Sequence, residues 1–581
     1  MYQPDIEAVG GSLAATALVA ALPLVTLFVL LGALRITAWI SGLAALAVSL
    51  VVAVAAYSMP AGQALLAASW GAAFGFFPIL WIVINAIWVY NLTVATGHFD
   101  VLRRSFAAVS DDMRVQAIII AFCFGALLEA LAGFGTPVAI TSVMLIALGF
   151  RPLKAATLAL VANTAPVAFG ALATPIVTLS AVTSAVGERQ YSVEELGGLV
   201  GHQTPVLALF VPLALVFIID GKRGLQQTWL PALVCGGAFA VAQWLTATYF
   251  SVQLTDIVAA LAGALATVVL LRVWSPSESY VERDDEEEHA ADRDRTRRRE
   301  EAGGSGGQPG AAAAAGSGGS SVIATDTGPD GRPVHDSGAE VAKAYAPYLI
   351  IIAIFSIAQI PAVKAALAEA PFAYMFQWPG LNLVSASGAP PAPFNFNWLG
   401  AAGTLMIIAG LITMPIIGIS PGRALRAYAA TYRQLATAIV TVMAVLALAY
   451  VMNTSGQTAS LGNEMAAAGS AFAILSPVLG WLGVAVTGSD TSSNSLFGAL
   501  QVTAAGQAGL DPALMAAANS SGGVLGKMVS PQNLAIAAAA VGMTGREGDL
   551  FRKVVGWSLG FLALMCLLVL GQTTVLAWML P

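Results

Sequence analysis

Long apolar runs constrain this 581-residue chain more than any other feature. Residues 11–34, 36–59 and 61–94 are the first of many runs that exceed the roughly 18 apolar residues typical of a transmembrane helix. Charged residues make up 10% of the chain, whereas soluble domains carry about a quarter. Since a helix satisfies its own backbone hydrogen bonds in hydrocarbon, we predict an all-α polytopic membrane protein.

Two short polar stretches interrupt this apolar sequence. Residues 129–137 read E-A-L-A-G-F-G-T-P, and residues 487–494 read T-G-S-D-T-S-S-N. The apolar limb after the first stretch, residues 138–150, reaches about 20 Å as a helix, less than the roughly 30 Å of a bilayer core. We therefore predict that each polar stretch is the tip of a re-entrant helical hairpin.

Two longer helices are predicted to be broken in the middle, at residues 163–175 and 519–533. Asn163 lies 11 residues before a Thr-Pro pair, and Asn519 lies 11 residues before a Ser-Pro pair. Threonines in the two tips precede these asparagines by 27 and 28 residues. The shared spacing predicts an internal repeat of hairpin and broken helix.

The positive-inside rule gives the orientation of the two repeats. An N-terminus outside the membrane places these basic residues inside: Arg35, Arg103, Arg104, Arg114, Arg151, Lys154, Lys222, Arg223, Arg423, Arg426, Arg433, Arg546, Arg552 and Lys553. The second hairpin then enters opposite to the first, which gives about 12 transmembrane helices plus two re-entrant hairpins in two inverted-topology repeats. Reading residues 115–150 as two full spans fits the same charges, but the short second limb favours the hairpin. Inverted repeats with broken helices are a recurring plan of secondary transporters.

Composition divides the chain into four parts. Residues 1–60 are predicted to be N-terminal scaffold helices, residues 61–274 the first transport repeat with further scaffold helices, and residues 344–581 the second transport repeat. Residues 275–343 hold the run D-D-E-E-E-H-A-A-D-R-D-R-T-R-R-R-E-E followed by Gly, Ala and Ser repeats. Because such a segment cannot bury a core, we predict a disordered, charged linker on the cytoplasmic side.

Three charged residues stand out inside the apolar runs: Glu129, Asp490 and Lys527. Ionisable groups in a membrane are costly and are candidates for function by default. We predict that Glu129 or Asp490 takes the coupling proton and that Lys527 balances the negative charge. The alternatives are that Asp490 and Lys527 form a structural ion pair, or that Glu129 only ties down backbone.

Glycines, hydroxyls and amides at the tips and breaks predict a site for a small carboxylate, since helix N-termini favour anions. The predicted substrate-binding residues are Gly133, Gly135, Thr136, Asn163, Ser489, Thr491, Ser492, Asn494, Asn519, Lys527 and Ser530. The alternative is that these groups cap short helices. No nucleophile–base pair, metal cluster, cofactor motif or nucleic-acid-binding pattern appears, so an enzyme is not predicted.

The motifs around these residues resemble the L-lactate permease family. They include C-F-G-A-L-L-E-A-L-A-G-F-G-T-P-V-A-I, N-T-A-P-V-A-F-G-A-L, L-G-W-L-G-V-A-V-T-G-S-D-T-S-S-N-S-L-F-G-A-L-Q and A-A-N-S-S-G-G-V-L-G-K-M-V-S-P-Q-N-L-A-I-A. The resemblance implies proton-coupled uptake of lactate and related 2-hydroxy monocarboxylates such as glycolate across the cell membrane. Its implied partners are substrate, proton and lipid bilayer, and a homo-oligomer stays open. A sodium-coupled carboxylate transporter is the alternative, because backbone carbonyls at helix breaks can coordinate Na⁺.

Overall fold

A computed structural model describes residues 1–107, 109–110, 112–133, 135–184, 189–280, 336–385, 388 and 390–580. Helices dominate these ranges. In the first half they are α1 (Leu13–Ala20), α2 (Leu22–Phe28), α3 (Ala38–Ala55), α4 (Ala61–Phe74), α5 (Trp81–Ala95), α6 (His98–Ala107), α7 (Met113–Ala117), α8 (Gly125–Ala132), α9 (Thr136–Ala147), α10 (Pro152–Ala162), α11 (Gly170–Ser184), α12 (Val193–Val200), α13 (Thr204–Tyr249) and α14 (Thr255–Leu271). In the second half they are α15 (Gly338–Gln359), α16 (Pro361–Leu367), α17 (Ala402–Ile416), α18 (Pro421–Ser455), α19 (Gln457–Met465), α20 (Phe472–Thr487), α21 (Asp490–Ala508), α22 (Pro512–Gly526), α23 (Pro531–Ala540) and α24 (Glu547–Gln572).

Eleven helical stretches in the described part of the chain are long and apolar enough to cross a membrane. The longest, Val193–Tyr249, contains two predicted spans, because α13 has non-helical backbone at Asp220 and Gly221 between them. The predicted class, an all-α multi-pass membrane protein, is confirmed. The re-entrant path of the hairpins, the inversion of the repeats and the domain division stay predictions.

Within the described ranges, three π-helical segments widen the helices: Val29–Ala33, Gly75–Leu80 and Ile118–Phe124. The third is fully buried and joins α7 to α8, so that Met113–Ala132 is one continuous helical stretch. Glu129 lies in the last two turns of that stretch. This π segment directly precedes α8 and the first hairpin tip, and π segments are frequent near functional sites.

A small antiparallel ribbon lies in the loop before α17. Strand β1 (Ala373–Phe376) pairs with β2 (Phe394–Asn397), with Ala373 opposite Asn397. Phe394 is buried there against the rings of Phe74 and Trp378. The sequence predicts no strand in this loop, which is rich in proline and aromatic residues, although Phe394–Asn397 alternates apolar and polar side chains.

Helices α20 and α22 pack at very close range through glycine. A Cβ atom at Gly480 would overlap the carbonyl oxygen of Asn519, and one at Gly522 would overlap the carbonyl oxygen of Pro477. Small residues allow this backbone approach between membrane helices, where packing rather than hydrophobicity drives association. The contact fixes the second hairpin directly against the second broken helix.

Arg114 holds the start of the predicted linker. Its buried guanidinium donates to Asp112 at 2.7 Å, to Asp220 at 2.9 Å and to the Glu278 carbonyl at 2.8 Å. Arg223 also donates to the exposed Glu278 carboxylate, which lowers the pKa of that group. Residues 275–280 are thereby fixed on the helical body.

The end of the predicted linker is also tied to the first half. Arg104 donates twice to Asp336, at 2.6 and 2.7 Å. Ser337 caps α15, which begins at Gly338, inside the predicted linker range 275–343. The linker interior, residues 281–335, lies outside the described residues, and its disorder and cytoplasmic position stay predictions.

Candidate functional site

The first hairpin consists of α8 and α9, and the second consists of α20 and α21. Each packs against the broken helix of the other half. Helix α9 packs on α23, and α21 packs along α11. At the first tip, Gly135 has φ +84°, and a Cβ there would lie 2.5 Å from Ile536 Cδ1. At the second, Asn494 Nδ2 donates to the Pro175 carbonyl at 3.1 Å. This crossed packing brings both tips and both breaks around one cavity.

Both predicted breaks are present, and each contains a short 3₁₀ turn. In the first, the turn Val167–Phe169 follows the end of α10 at Ala162. Ala171, Leu172 and Ala173 then adopt left-handed backbone, with φ of +44°, +56° and +60°. Such backbone costs roughly 1–2 kcal/mol per residue outside glycine and is found at functional sites.

The second break is shorter. Helix α22 ends at Gly526, the 3₁₀ turn Lys527–Val529 follows, and α23 begins at Pro531. Ser530 between them is extended and accepts a hydrogen bond from the Asn533 N–H at 3.3 Å. Proline at the first helical position suits a helix start, because its missing N–H has no partner to lose there.

The cavity has a volume of about 1010 Å³. Seven of the predicted site residues line it: Glu129, Gly133, Ser489, Asp490, Thr491, Ser492 and Lys527. Sequence reasoning missed other polar groups on its wall: Arg35, Thr174, Thr437, Thr441, Thr487, Gln532 and Glu547. Thr174, Thr487 and Gln532 lie inside the breaks and the tip that the sequence marks, but were not chosen as site residues. The other four lie in apolar helices or at helix ends and carry no such signal.

A buried ion pair joins the two halves at the cavity wall. Lys527 Nζ donates to Glu129 Oε1 at 2.6 Å, and the two side chains are 8% and 4% exposed. Asn163 Nδ2 donates to the other carboxylate oxygen, Oε2, at 2.9 Å. The alternative pairing of Lys527 with Asp490 is therefore wrong, because the crossed packing places Glu129 at the lysine. The partners that hold Glu129 are side chains rather than backbone.

Asp490 has different surroundings. Its Oδ2 accepts from Ser520 Oγ at 2.6 Å and from Asn494 Nδ2 at 3.4 Å. Asp490 forms no ion pair among the residues described, and its Oδ1 has no hydrogen-bond partner there. The second tip thus presents a buried acid held by a hydroxyl and an amide.

Six predicted site residues lie behind the cavity wall. Asn519 Nδ2 donates to Asn494 Oδ1 at 2.8 Å, and Asn519 Oδ1 accepts from Gln501 Nε2 at 3.1 Å, so both amides are held by protein groups beneath Asp490. Gly135 and Thr136 form the turn into α9, with the Thr136 N–H bonded to the Gly133 carbonyl. Asn163 reaches the cavity only through Glu129, and Ser530 caps α23.

Two helix N-termini point their dipoles at the cavity. Ser489 caps α21 by accepting from the Ser492 N–H at 3.3 Å, and both residues line the wall together with Asp490. The first turn of α23 lines it through Pro531 and Gln532. Helix N-termini carry a partial positive charge, which adds to the charge of the Lys527 ammonium. The arrangement suits a small carboxylate.

We expect Gly170→Ala to weaken transport while leaving the fold intact. A Cβ at Gly170 would lie 2.8 Å from Glu129 Oε1, so the methyl group would displace that carboxylate from Lys527. Gly170 has φ −61°, which alanine adopts freely, so backbone strain plays no part. We expect uptake per folded protein to fall about tenfold, the effect of about 1.4 kcal/mol. Gly556→Ala, at an exposed glycine with no neighbour, is the control; wild-type uptake by Gly170→Ala would contradict the prediction.

The fold and the cavity define a multi-pass helical membrane protein with one charged cavity between two broken helices. The model of the L-lactate permease family matches residues 16–576. L-lactate permease of Bacillus subtilis (strain 168) is 40% identical over 592 residues, with 99% of this chain and 98% of that protein covered. Glycolate permease GlcA of Escherichia coli (strain K12) is 40% identical, with 100% and 99% covered. The chain belongs to the L-lactate permease family, whose members are transporters rather than enzymes.

Among solved structures, Neisseria gonorrhoeae MtrF, described in its title within a class of antimetabolite efflux pumps, aligns with a TM-score of 0.45 and 12% identity. The alignment covers 86% of this chain and 81% of MtrF. We draw nothing about this site from a likeness at that level.

Proposed function

We propose that this protein takes up lactate and related 2-hydroxy monocarboxylates, such as glycolate, by proton symport across the cell membrane. The observation that carries the proposal is the Lys527–Glu129 ion pair on the cavity wall, at 2.6 Å. Relatives named L-lactate permease and glycolate permease, at 37–40% identity, support the substrate class.

The ion pair couples a proton to an anion through competition for one ammonium group. While Glu129 is ionised, it occupies Lys527 and keeps a substrate carboxylate away. Protonation of Glu129 removes its negative charge and frees the Lys527 ammonium for the substrate. One anion then moves with one proton, and the transported charge is zero, so a pH gradient rather than the membrane potential drives uptake directly.

The second tip completes the proposed site. Backbone N–H groups at the start of α21 and α23 would bind carboxylate oxygens. The hydroxyls of Ser489, Thr491 and Ser492 lie on the same wall and would bind the 2-hydroxyl of the substrate. Asp490 is the second candidate for the proton, since it lies on the cavity without a cation partner among the described residues.

Uptake into proteoliposomes tests this function. We expect lactate uptake with an inward proton gradient to exceed uptake without a gradient severalfold, and replacement of Na⁺ by choline at fixed pH to change nothing. Equal uptake with and without the proton gradient would exclude proton symport. A requirement for Na⁺ would favour the sodium-coupled alternative.

Glu129→Gln is expected to remove the dependence on the proton gradient, because glutamine cannot take up the proton. It also leaves Lys527 without an anionic partner, so lactate binding is expected to persist or tighten. Glu464→Gln, at an exposed carboxylate on α19, is the matched control and should behave as wild type. An unchanged gradient dependence in Glu129→Gln would assign the proton to another group, with Asp490→Asn as the next variant.

A further inference from the structure

A second buried carboxyl group lies behind Glu129. Asp256 is the second residue of α14 and is 1% exposed. Helix α14 packs directly on α8, which carries Glu129. Nothing in the sequence singles out Asp256, because an acid just before a predicted span, here 257–273, resembles an ordinary solvated helix end.

Asp256 has very few partners. Its Oδ1 accepts one hydrogen bond, from Gln243 Nε2 at 3.2 Å, and its Oδ2 has no partner among the described residues. No ion pair to Asp256 occurs in that part of the chain. The N-terminal dipole of α14 offsets only part of the cost of burying a charge. An isolated carboxylate is costly in this position, which favours the neutral acid.

A chain of hydrogen bonds, continued through the backbone of residues 163–165, leads from Asp256 to the cavity. Gln243 Nε2 also donates to the Ala165 carbonyl at 3.2 Å, inside the first helix break. Two residues earlier, Asn163 donates to Glu129, and its own Oδ1 lacks a partner among the described residues. Two buried, unpartnered oxygen atoms thus lie at the two ends of this chain. Polar groups of this kind are where internal water is usually found.

Glu129 is the charged site residue carried by α8, which contacts α14, and Glu129 is paired with Lys527. Other titratable groups on the elements packed against α14 lie along the π segment and α13: Cys123, Cys235, Tyr249, Asp220, Lys222 and Arg223. None of these donates to or accepts from the Asp256 carboxyl group in the described residues. Asp256 thus has no charged partner of its own in the part of the chain that the structure describes.

We propose that Asp256 is a proton-carrying residue of the transport cycle that supplies Glu129 through an internal water molecule. The Asp256 O–H bond breaks, the water passes the proton on, and a Glu129 O–H bond forms. Asp256 is left as a carboxylate and Lys527 as an unpaired ammonium that binds the substrate carboxylate. Asp256 regains its proton from the external solution when the empty cavity opens outward again, so that one external proton enters with each substrate anion. This role rests on the proposed function, since it takes Glu129 as the proton acceptor.

Asp256→Asn tests the role, because asparagine keeps the shape and still accepts from Gln243 but cannot ionise. We expect net uptake driven by a proton gradient to fall at least tenfold, while exchange of external for internal lactate, which needs no net proton movement, persists. A purely structural Asp256 would leave the ratio of net uptake to exchange unchanged, and that result would overturn the role. Asp549→Asn, an acid at the surface end of α24, is the control.

Two further measurements test the role of Asp256. If Asp256→Asn does not fold, infrared difference spectra of the wild-type protein on lactate binding should show that a protonated carboxyl group loses its proton. The absence of any such change would overturn the role. Loss of gradient dependence in the wild-type protein would overturn the proposed function itself, whereas unchanged net uptake in Asp256→Asn alone would overturn only the role of Asp256.

Discussion

Lys527→Met is expected to abolish lactate uptake and to destabilise the folded protein. Methionine fills the space of the lysine stem but leaves the Glu129 carboxylate buried with Asn163 as its remaining partner. Removing one partner of a buried ion pair typically costs about 3–5 kcal/mol. Transport is lost for a separate reason, because the cavity no longer offers an ammonium group to the substrate carboxylate.

The double variant Glu129→Gln/Lys527→Met separates the two effects. Two neutral side chains leave no unpaired charge, so we expect thermal stability in detergent to return close to wild type. Uptake in proteoliposomes, measured per folded protein, should remain absent. Lys364→Met is the matched control, since Lys364 pairs with Glu194 at 2.7 Å but is 51% exposed, and exposed pairs contribute about 0–1 kcal/mol. Wild-type uptake by Lys527→Met would refute the central role of this lysine.

Gly480→Ala is expected to prevent correct folding, although it adds a single methyl group. That methyl would overlap the carbonyl oxygen of Asn519, which is backbone and cannot rotate away. Overpacking of a buried contact costs typically about 1–3 kcal/mol and more where the backbone must move. Separating α20 from α22 would also pull Asn519 from Asn494 and disturb the support of Asp490.

The measurement is the monodisperse fraction after detergent extraction, together with uptake per cell. Gly556→Ala is the control, because Gly556 lies on the exposed side of α24 with no atom near its missing Cβ. Equal yields of monodisperse protein from the two variants would show that α20 and α22 tolerate a wider separation.

The sequence predicted the breaks and the buried charges well, since both follow from local chemistry. Glycine, proline and asparagine in apolar helices mark where the backbone leaves the helix, and a charge such as Lys527 stands out in apolar sequence. The ion-pair partner of Lys527 could not be predicted from the sequence. Asp490 lies nearer in the chain, but the crossed packing of the halves brings Glu129 to the lysine instead.

Other site features carry no local signal at all. The left-handed stretch of Ala171, Leu172 and Ala173 consists of residues that favour right-handed helix, so tertiary packing must impose its conformation. Asn494 and Asn519 are predicted substrate ligands, yet their amides bond to each other, to the Pro175 carbonyl and to Gln501. The sequence does not single out Asp256, because it lies at a helix start, where acids are usually solvated.

The pairing of Glu129 with Lys527 has a consequence for how the protein is made. The two residues are 398 positions apart. At a synthesis rate of about 5–20 residues per second, Glu129 enters the membrane roughly 20–80 s before its lysine exists. An isolated charge is costly inside the membrane, and Glu129 has to wait there until the second half has been made. The ion pair therefore forms late in assembly, so the first half completes its polar network only when the second half joins it.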